Sequence, residues 1–350
     1  YAGEYGVSKL FDPQERLVSS AQLDLFAGHG RRAPVARRLA REEQGDATRP
    51  ALWASDEDEP PAPASEVSAG APPLLVRQTA ATLEPIPSSQ PVADLFNGLN
   101  AQQQAAVRSI YAPLLIVAGP GTGKTRTLTH RIAYLVRTAG AKPESILAIT
   151  FTNKAAEEMA ERLAHLLDDG RALQLTVQTF HAFCAGLLRT YGASIGLTPE
   201  FTIASDEERL TLLRRLRPSW NEKALNEALL AIANAKDQLR TPAEVDGRVG
   251  PEGEESLADL YRHFDHELRT NGLLDYADLI LLAVQLLSDD PVVAAEVRRR
   301  YRWLSVDEYQ DINLAQYQLL RLLTTGGEVP PAHLCALGDP DQAIYGFRGA

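Results

Sequence analysis

The sequence predicts an α/β fold: a parallel sheet with helices on both faces, a small all-helical insertion, and a disordered linker ahead of it. Three observations carry this. Four short apolar runs lie beyond Asn97; polar or glycine-rich residues follow each one directly; and the intervals between them show helical periodicity. Strands buried on both faces of a parallel sheet read as unbroken apolar runs, because neither face meets water. The runs are LLIVA (Leu114 to Ala118), ILAIT (Ile146 to Thr150), WLSV (Trp303 to Val306) and LCAL (Leu334 to Leu337). Ligands of such folds gather at the carboxyl ends of the strands, so the four segments after the runs are where chemistry is expected.

Taken in order, residues 1–26 are fairly hydrophobic and compatible with the tail of a preceding domain. Residues 27–95 change character: RRAPVARRLARE is basic, SDEDEPPAPASEVSAGAPP is acidic, and nine of the 22 prolines lie from Pro50 to Pro91. Such a stretch buries too little apolar surface to offset its ordering entropy and reads as a disordered linker. Residues 96–196 and 273–350 hold the sheet domain. Between them, residues 197–272 include DEERLTLLRRLRPSW and NEALLAIANAKDQLRT, which have helical periodicity and no strand-like run.

The chain has 350 residues, 45% of them hydrophobic, enough for two or three cored domains. A net charge of −11 excludes a body coated in positive charge but leaves room for a local basic groove. Cys184 and Cys335 sit in apolar stretches and predict two buried, reduced thiols in a cytosolic protein. There is no apolar run of membrane-spanning length and no signal segment. A start without Met and an ending in mid-pattern suggest a piece of something longer.

The segment AGPGTGKTRTLTHRI follows the first run. Gly119, Gly121 and Gly123 let backbone N–H groups close around phosphate oxygens. Lys124 can reach the β- and γ-phosphates, and the Thr125 hydroxyl can bind Mg²⁺. The helix opening there adds the positive end of its dipole. Ala118 departs from the strict G-x-x-x-x-G-K-[ST] pattern, which has glycine at that position. WLSVDEYQDIN closes the third run; Asp307 is placed to hold Mg²⁺, usually through water, and Glu308 to polarise an attacking water. An exposed acidic pair is the blander account, weakened by the phosphate loop in the same chain.

Together these boxes resemble superfamily 1 DNA helicases of the UvrD/Rep/PcrA group. VDEYQDIN is similar to the family's DExQDxN box, TFTNKAAEEM to motif Ia, TFHAF to motif Ib, LNAQQ to the Q motif, and GDPDQAIYGFRGA to motif III. The resemblance runs from Leu99 to Ala350 and implies a RecA-like P-loop NTPase motor domain. By resemblance, Lys124, Glu308 and Gln342 are catalytic, with Gln342 sensing the γ-phosphate and passing its loss to the DNA side. Gln103 would recognise the adenine edge and Arg126 would lie against the base, while Arg348 would brace the acidic residues. Phe151, Tyr345 and Phe347 would line a groove for single-stranded DNA, with Thr152, Asn153, Thr179 and His181 near its backbone. Stacking suits a sequence-tolerant track because every base has a π-face. Phe347 stands where the family often has tryptophan.

Phe180 is left between core and groove, and Cys184 is read as core. Arg214, Arg215 and Arg298 to Arg300 are either phosphate contacts or helix-surface charge, the latter favoured. The insertion corresponds to subdomain 1B of the family, facing the duplex ahead of the fork, and the sheet domain to subdomain 1A. LLDYADLI resembles the family's LDFDDLL at the point of return, with Ala277 in place of an aspartate.

The implied function is that of the first motor domain of an ATP-dependent DNA helicase moving 3′ to 5′ in repair or replication. ATP and Mg²⁺ are its cofactors. Its partners are single-stranded DNA, single/double-strand junctions and repair or replication proteins, with no membrane, and its place is the bacterial cytosol or nucleoid. Two alternatives are a helicase–nuclease and a nucleotide-gated DNA-binding module recruited through the proline-rich linker. A scaffold has no use for Lys124, Thr125, Asp307, Glu308 and Gln342 together. The family's transition-state arginines come from a second motor domain, and such an arginine is worth about 10³–10⁵ in rate. Residues 1–350 alone are therefore expected to bind nucleotide weakly, hydrolyse it slowly and leave duplexes unopened.

Overall fold

The computed structural model describes residues 6–8, 92–167 and 170–343. Most of the expected linker, together with Tyr345, Phe347 and Arg348, lies outside them. All described residues belong to one compact unit.

The main sheet runs in the order β1 (Gly6–Ser8), β2 (Leu114–Val117), β10 (His333–Gly338), β9 (Trp303–Val306), β3 (Ile146–Thr150), β4 (Thr176–Thr179). The last five are mutually parallel, and β1 pairs antiparallel with the outer edge of β2. All four apolar runs are strands. The register brings their carboxyl ends level: Gly338 lies opposite Val117, Val306 opposite Ala336 and Ile149, and Thr150 opposite Thr179.

Two cores flank this sheet. Every residue of β3 is buried, and its side chains alternate between the cores. Ile146 and Ala148 join Leu128 and Ile132 of α2 (Lys124–Arg137) and Met159 and Leu163 of α3 (Asn153–Leu166). Leu147 and Ile149 join Phe180 and Phe183 of α4 (Phe180–Tyr191) and Leu279 and Ala283 of α8 (Tyr276–Asp289). Each of the Leu, Ile, Met and Phe side chains among these contributes about 1.5–3 kcal/mol by leaving water. Helices α9 (Pro291–Arg300) and α10 (Leu314–Thr324) complete that second layer. Cys184 and Cys335 are buried free thiols, and burial pushes both thiol pKa values up.

The insertion packs α5 (Asp206–Leu216), α6 (Glu222–Asp237) and α7 (Leu257–Thr270) around a third core of Leu213, Leu225, Leu260 and Phe264. It is not purely helical. A two-residue parallel ladder joins β5 (Thr202–Ile203) to β8 (Leu273–Leu274), and an antiparallel one joins β6 (Arg248–Val249) to β7 (Glu255–Ser256). Ladders this short leave no apolar run or alternation in the sequence. The β5–β8 pair brings the outgoing and returning chains together, and α6 packs against α8 and α10 of the main domain. Among the described residues no helix is long and apolar enough to cross a membrane.

Candidate nucleotide and DNA site

After β2 the Ala118 amide donates to the Gly338 carbonyl at the end of β10 (3.1 Å), and the chain then turns sharply. Gly121 (φ 71°) and Gly123 (φ 82°) adopt left-handed backbone, which costs an L-residue about 1–2 kcal/mol. The Thr122 hydroxyl donates to the Gly119 carbonyl (2.6 Å) and closes the loop. Gly123 caps α2 without a side-chain hydrogen bond, so the first N–H groups and positive dipole end of that helix face outward, as an anion requires.

The loop is braced from α1 (Ala101–Arg108). Asn100 and Gln103 form a capping box: the Asn100 amide donates to Gln103 Oε1 (2.8 Å) and the Gln103 amide to Asn100 Oδ1 (2.9 Å). Gln103 is buried, and its Nε2 donates to the Thr122 carbonyl (3.0 Å). The side chain expected at the adenine edge thus spends one end of its amide on the α1 cap and the other on the phosphate loop. Arg126, expected against the base, donates from Nη2 to the Asn97 carbonyl (3.0 Å) and lies over Gly98, where a Cβ would come within 2.3 Å of it.

The acidic pair closes β9. Asp307 is buried, its amide donates to the Ile149 carbonyl (3.0 Å), and its carboxylate accepts from the Thr125 hydroxyl. Burial, and next the Glu308 charge, push its carboxyl up to about 6 against the pull of the Glu308 N–H, Lys124 and Thr125. Glu308 has φ 50°, a left-handed conformation that costs a non-glycine residue about 1–3 kcal/mol and concentrates at working sites. Its Oε2 accepts from Lys124 Nζ (3.3 Å) and from Gln310 Nε2 (2.9 Å). Lys124, Thr125, Asp307 and Glu308, from two segments far apart in sequence, therefore meet at the carboxyl ends of β2 and β9, across the end of β10 that lies between them. Beyond β10, Asp339 caps the 3₁₀ turn Pro340–Gln342, and the Gln342 amide donates to Asp339 Oδ2.

The expected DNA contacts occupy the next two strand ends. Thr152 caps α3 by accepting from the Ala155 amide (3.1 Å), and Thr179 caps α4 by accepting from the Ala182 amide (3.3 Å). Asn153 is exposed on the first turn of α3 and Phe151 is half-buried. Two helix N-termini thus open side by side, an arrangement that favours phosphate. His181 is half-buried, burial lowers its pKa, and its ring stands edge-on to Tyr276 (5.5 Å, 85°). Phe180 is core. Arg298, weighed as a phosphate contact, is buried and donates to the Leu322 carbonyl (3.0 Å); Arg299, Arg300, Arg214 and Arg215 are exposed.

Sequence reasoning missed three features. Gln310 received no role within its box. Tyr276, 53% exposed beside His181, opens a helix and follows no apolar run that would flag it. The third is a buried charge node: Lys236 of α6 lies 2.8 Å from each of Asp265, Asp275 and Asp278, and Arg269 lies 3.1 Å from Asp278. Asp275 and Asp278 belong to LLDYADLI and flank Ala277, so the returning segment ties the insertion to α8 despite that departure.

The donor set suits both expected cofactors. A hydroxyl and a carboxylate oxygen, already in contact at Thr125 and Asp307, are hard ligands of the kind Mg²⁺ takes, and the glycine loop with its open helix end suits a polyphosphate.

Comparison with known proteins agrees. The model of the UvrD/REP helicase N-terminal domain matches residues 99–350. The ATP-dependent DNA helicase PcrA of Leuconostoc citreum is 42% identical over 263 residues, which covers 74% of this chain and 35% of that protein. The proteins of the same name from Staphylococcus aureus and Staphylococcus epidermidis are 39% and 38% identical over 260 residues, 73% of this chain and 35% of each. The chain thus spans about a third of the length of these relatives. It belongs to the UvrD/REP helicase family and carries that family's N-terminal domain.

Proposed function

We propose that the chain is the first motor domain of an ATP-dependent DNA helicase, one that couples ATP hydrolysis to 3′–5′ movement along single-stranded DNA and to duplex opening. The observation that carries this reading is the meeting of Lys124, Thr125, Asp307 and Glu308 at the ends of β2 and β9, level with two capped helix N-termini after β3 and β4. ATP would be held by the loop amides and Lys124, and Mg²⁺ by Thr125 and Asp307; when bound, the ion neutralises phosphate charge. Glu308 orients and deprotonates the attacking water, and Lys124, drawn to phosphate, leaves its carboxylate free to do so. Gln342 responds to the γ-phosphate. Single-stranded DNA lies across Phe151, Thr152, Asn153, Thr179 and His181, with Tyr345 and Phe347 as further platforms. The insertion, residues 197–272, acts as subdomain 1B on duplex at single/double-strand junctions. The setting is DNA repair or replication in the bacterial cytosol or nucleoid.

Steady-state ATP hydrolysis with and without single-stranded DNA, beside Glu308→Gln, tests the reading. DNA-stimulated turnover that the variant lowers by about 10²–10⁴-fold, with nucleotide binding intact, is expected. Equal turnover by both proteins would remove Glu308 from the chemistry.

A further inference from the structure

We propose that Gln310 is the positioning residue that transmits the state of the phosphate site to the segment after β10. The proposal rests on the reading of Lys124, Glu308 and Gln342 given above. Its basis is a continuous run of hydrogen bonds. Lys124 Nζ donates to Glu308 Oε2 (3.3 Å), and the same oxygen accepts from Gln310 Nε2 (2.9 Å). Gln310 Nε2 also donates to Asp311 Oδ2 (3.2 Å). The other end of the amide, Oε1, accepts from the Asp339 N–H (3.0 Å), and Asp339 holds Gln342.

The peptide between Gly338 and Asp339 is gripped from two directions. Its carbonyl accepts from Ala118, at the start of the phosphate loop, and its N–H donates to Gln310, in the acidic loop. One rigid peptide unit therefore joins both halves of the nucleotide site to the sensor segment. Gln310 is packed against it so closely that a Cβ on Gly338 would come within 2.6 Å of Oε1.

Only glutamine meets these demands. A planar amide offers two N–H donors to two carboxylates and an acceptor to a backbone N–H, on a stem long enough to reach the next strand. Glutamate would set a third carboxylate among Glu308 and Asp311, and leucine would strand the Asp339 N–H. When phosphate draws Lys124 away, Glu308 loses a partner on the oxygen it shares with Gln310. The carboxylate shifts, the planar amide follows as a unit, and the Asp339 peptide moves with it. Glu308's left-handed backbone sets the direction of its side chain toward this amide.

The test is hydrogen exchange of the whole chain with and without a non-hydrolysable ATP analogue and Mg²⁺, with analogue affinity measured in parallel. In the wild type the analogue is expected to change exchange both in the phosphate loop and at residues 338–342. In Gln310→Leu, protection of the phosphate loop and analogue affinity should persist. The Asp339 amide should exchange at least about tenfold faster, and its response to the analogue should disappear. Gly338→Ala, which pushes on the Gln310 amide from the opposite side without changing it, should reproduce this loss. Combined with Gln310→Leu it should add little beyond its 3.3 Å approach to the Gln310 backbone.

Three results count against the proposal. An undiminished response at 338–342 in Gln310→Leu with analogue bound would overturn it, as would fully additive effects of the two substitutions. Absence of phosphate-loop protection in the wild type would overturn the nucleotide reading itself, and the proposal with it.

Discussion

Two lysines of this protein sit among carboxylates, and the contrast between them separates chemistry from architecture. Lys236 is fully enclosed, meets three aspartates at 2.8 Å, and lies where the insertion returns to the main domain. Its carboxylates are committed: burial opposes the charge on Asp278, but Lys236 and then Arg269 outweigh it and hold that carboxyl down at about 2. Lys124 keeps 10% exposure and meets one carboxylate, that of the 37% exposed Glu308, at 3.3 Å. A charge surrounded on all sides can only brace; a charge with one loose partner beside an outward-facing helix end can exchange that partner for a ligand.

The sharpest way to break the comparison is to remove each ammonium in turn. Lys236→Met takes the shared cation from Asp265 and from the buried Asp275 and Asp278, leaving only Arg269 beside Asp278, and should cost about 3–5 kcal/mol in urea unfolding. Lys124→Met removes one partly exposed pair and should change stability by no more than about 1 kcal/mol while abolishing hydrolysis. Equal losses of stability would erase the distinction.

A smaller effect is expected at the DNA track. Phe151→Ala should weaken single-stranded DNA binding by about 1–3 kcal/mol in a fluorescence titration, with little preference for sequence. Unchanged affinity would assign Phe151 to packing.

The mildest test uses pH within the node. Burial pushes Asp265's carboxyl from its ordinary 3.8 up to about 6, with Lys236 pulling the other way. A raised folded-state pKa contributes stability that is present below 3.8 and lost as pH rises through 6. Asp278 has the opposite sign: its contribution is present above 3.8 and lost as pH falls through 2. Wild type should therefore gain stability relative to Asp265→Asn when pH is lowered from about 7.5 to about 5, since the protonated acid and the amide are near-isosteres. A loss over that window would show that attraction to Lys236 outweighs burial.

The strands that were legible are those with both faces covered. Leu114, Ile146, Leu304 and Leu337 announce themselves because a strand covered on both faces is apolar at successive positions and carries at most one small buried hydroxyl, Ser305 or Thr150. β4, TVQT, was missed because it is the last strand of the sheet and only Thr179 in it is fully buried. The phosphate loop and the acidic pair were legible for another reason. Each is a local device whose glycines, lysine and carboxylates must be adjacent in sequence to work.

The sequence by itself determined the parallel α/β sheet, the helical character of the insertion, the phosphate loop and the acidic pair, since each follows from neighbouring residues and their period. Only the tertiary structure decided what joins them. It placed β9 and β10 between β2 and β3, brought Glu308 to Lys124 and Gln310 to Asp339, set the Gln103 amide against the Thr122 carbonyl of the phosphate loop, and closed Lys236 within carboxylates from two other helices. The physical reason is range. Periodicity and turn chemistry act over a few residues, whereas a buried charge or a shared amide finds its partners only after hydrophobic burial has packed distant strands and helices side by side.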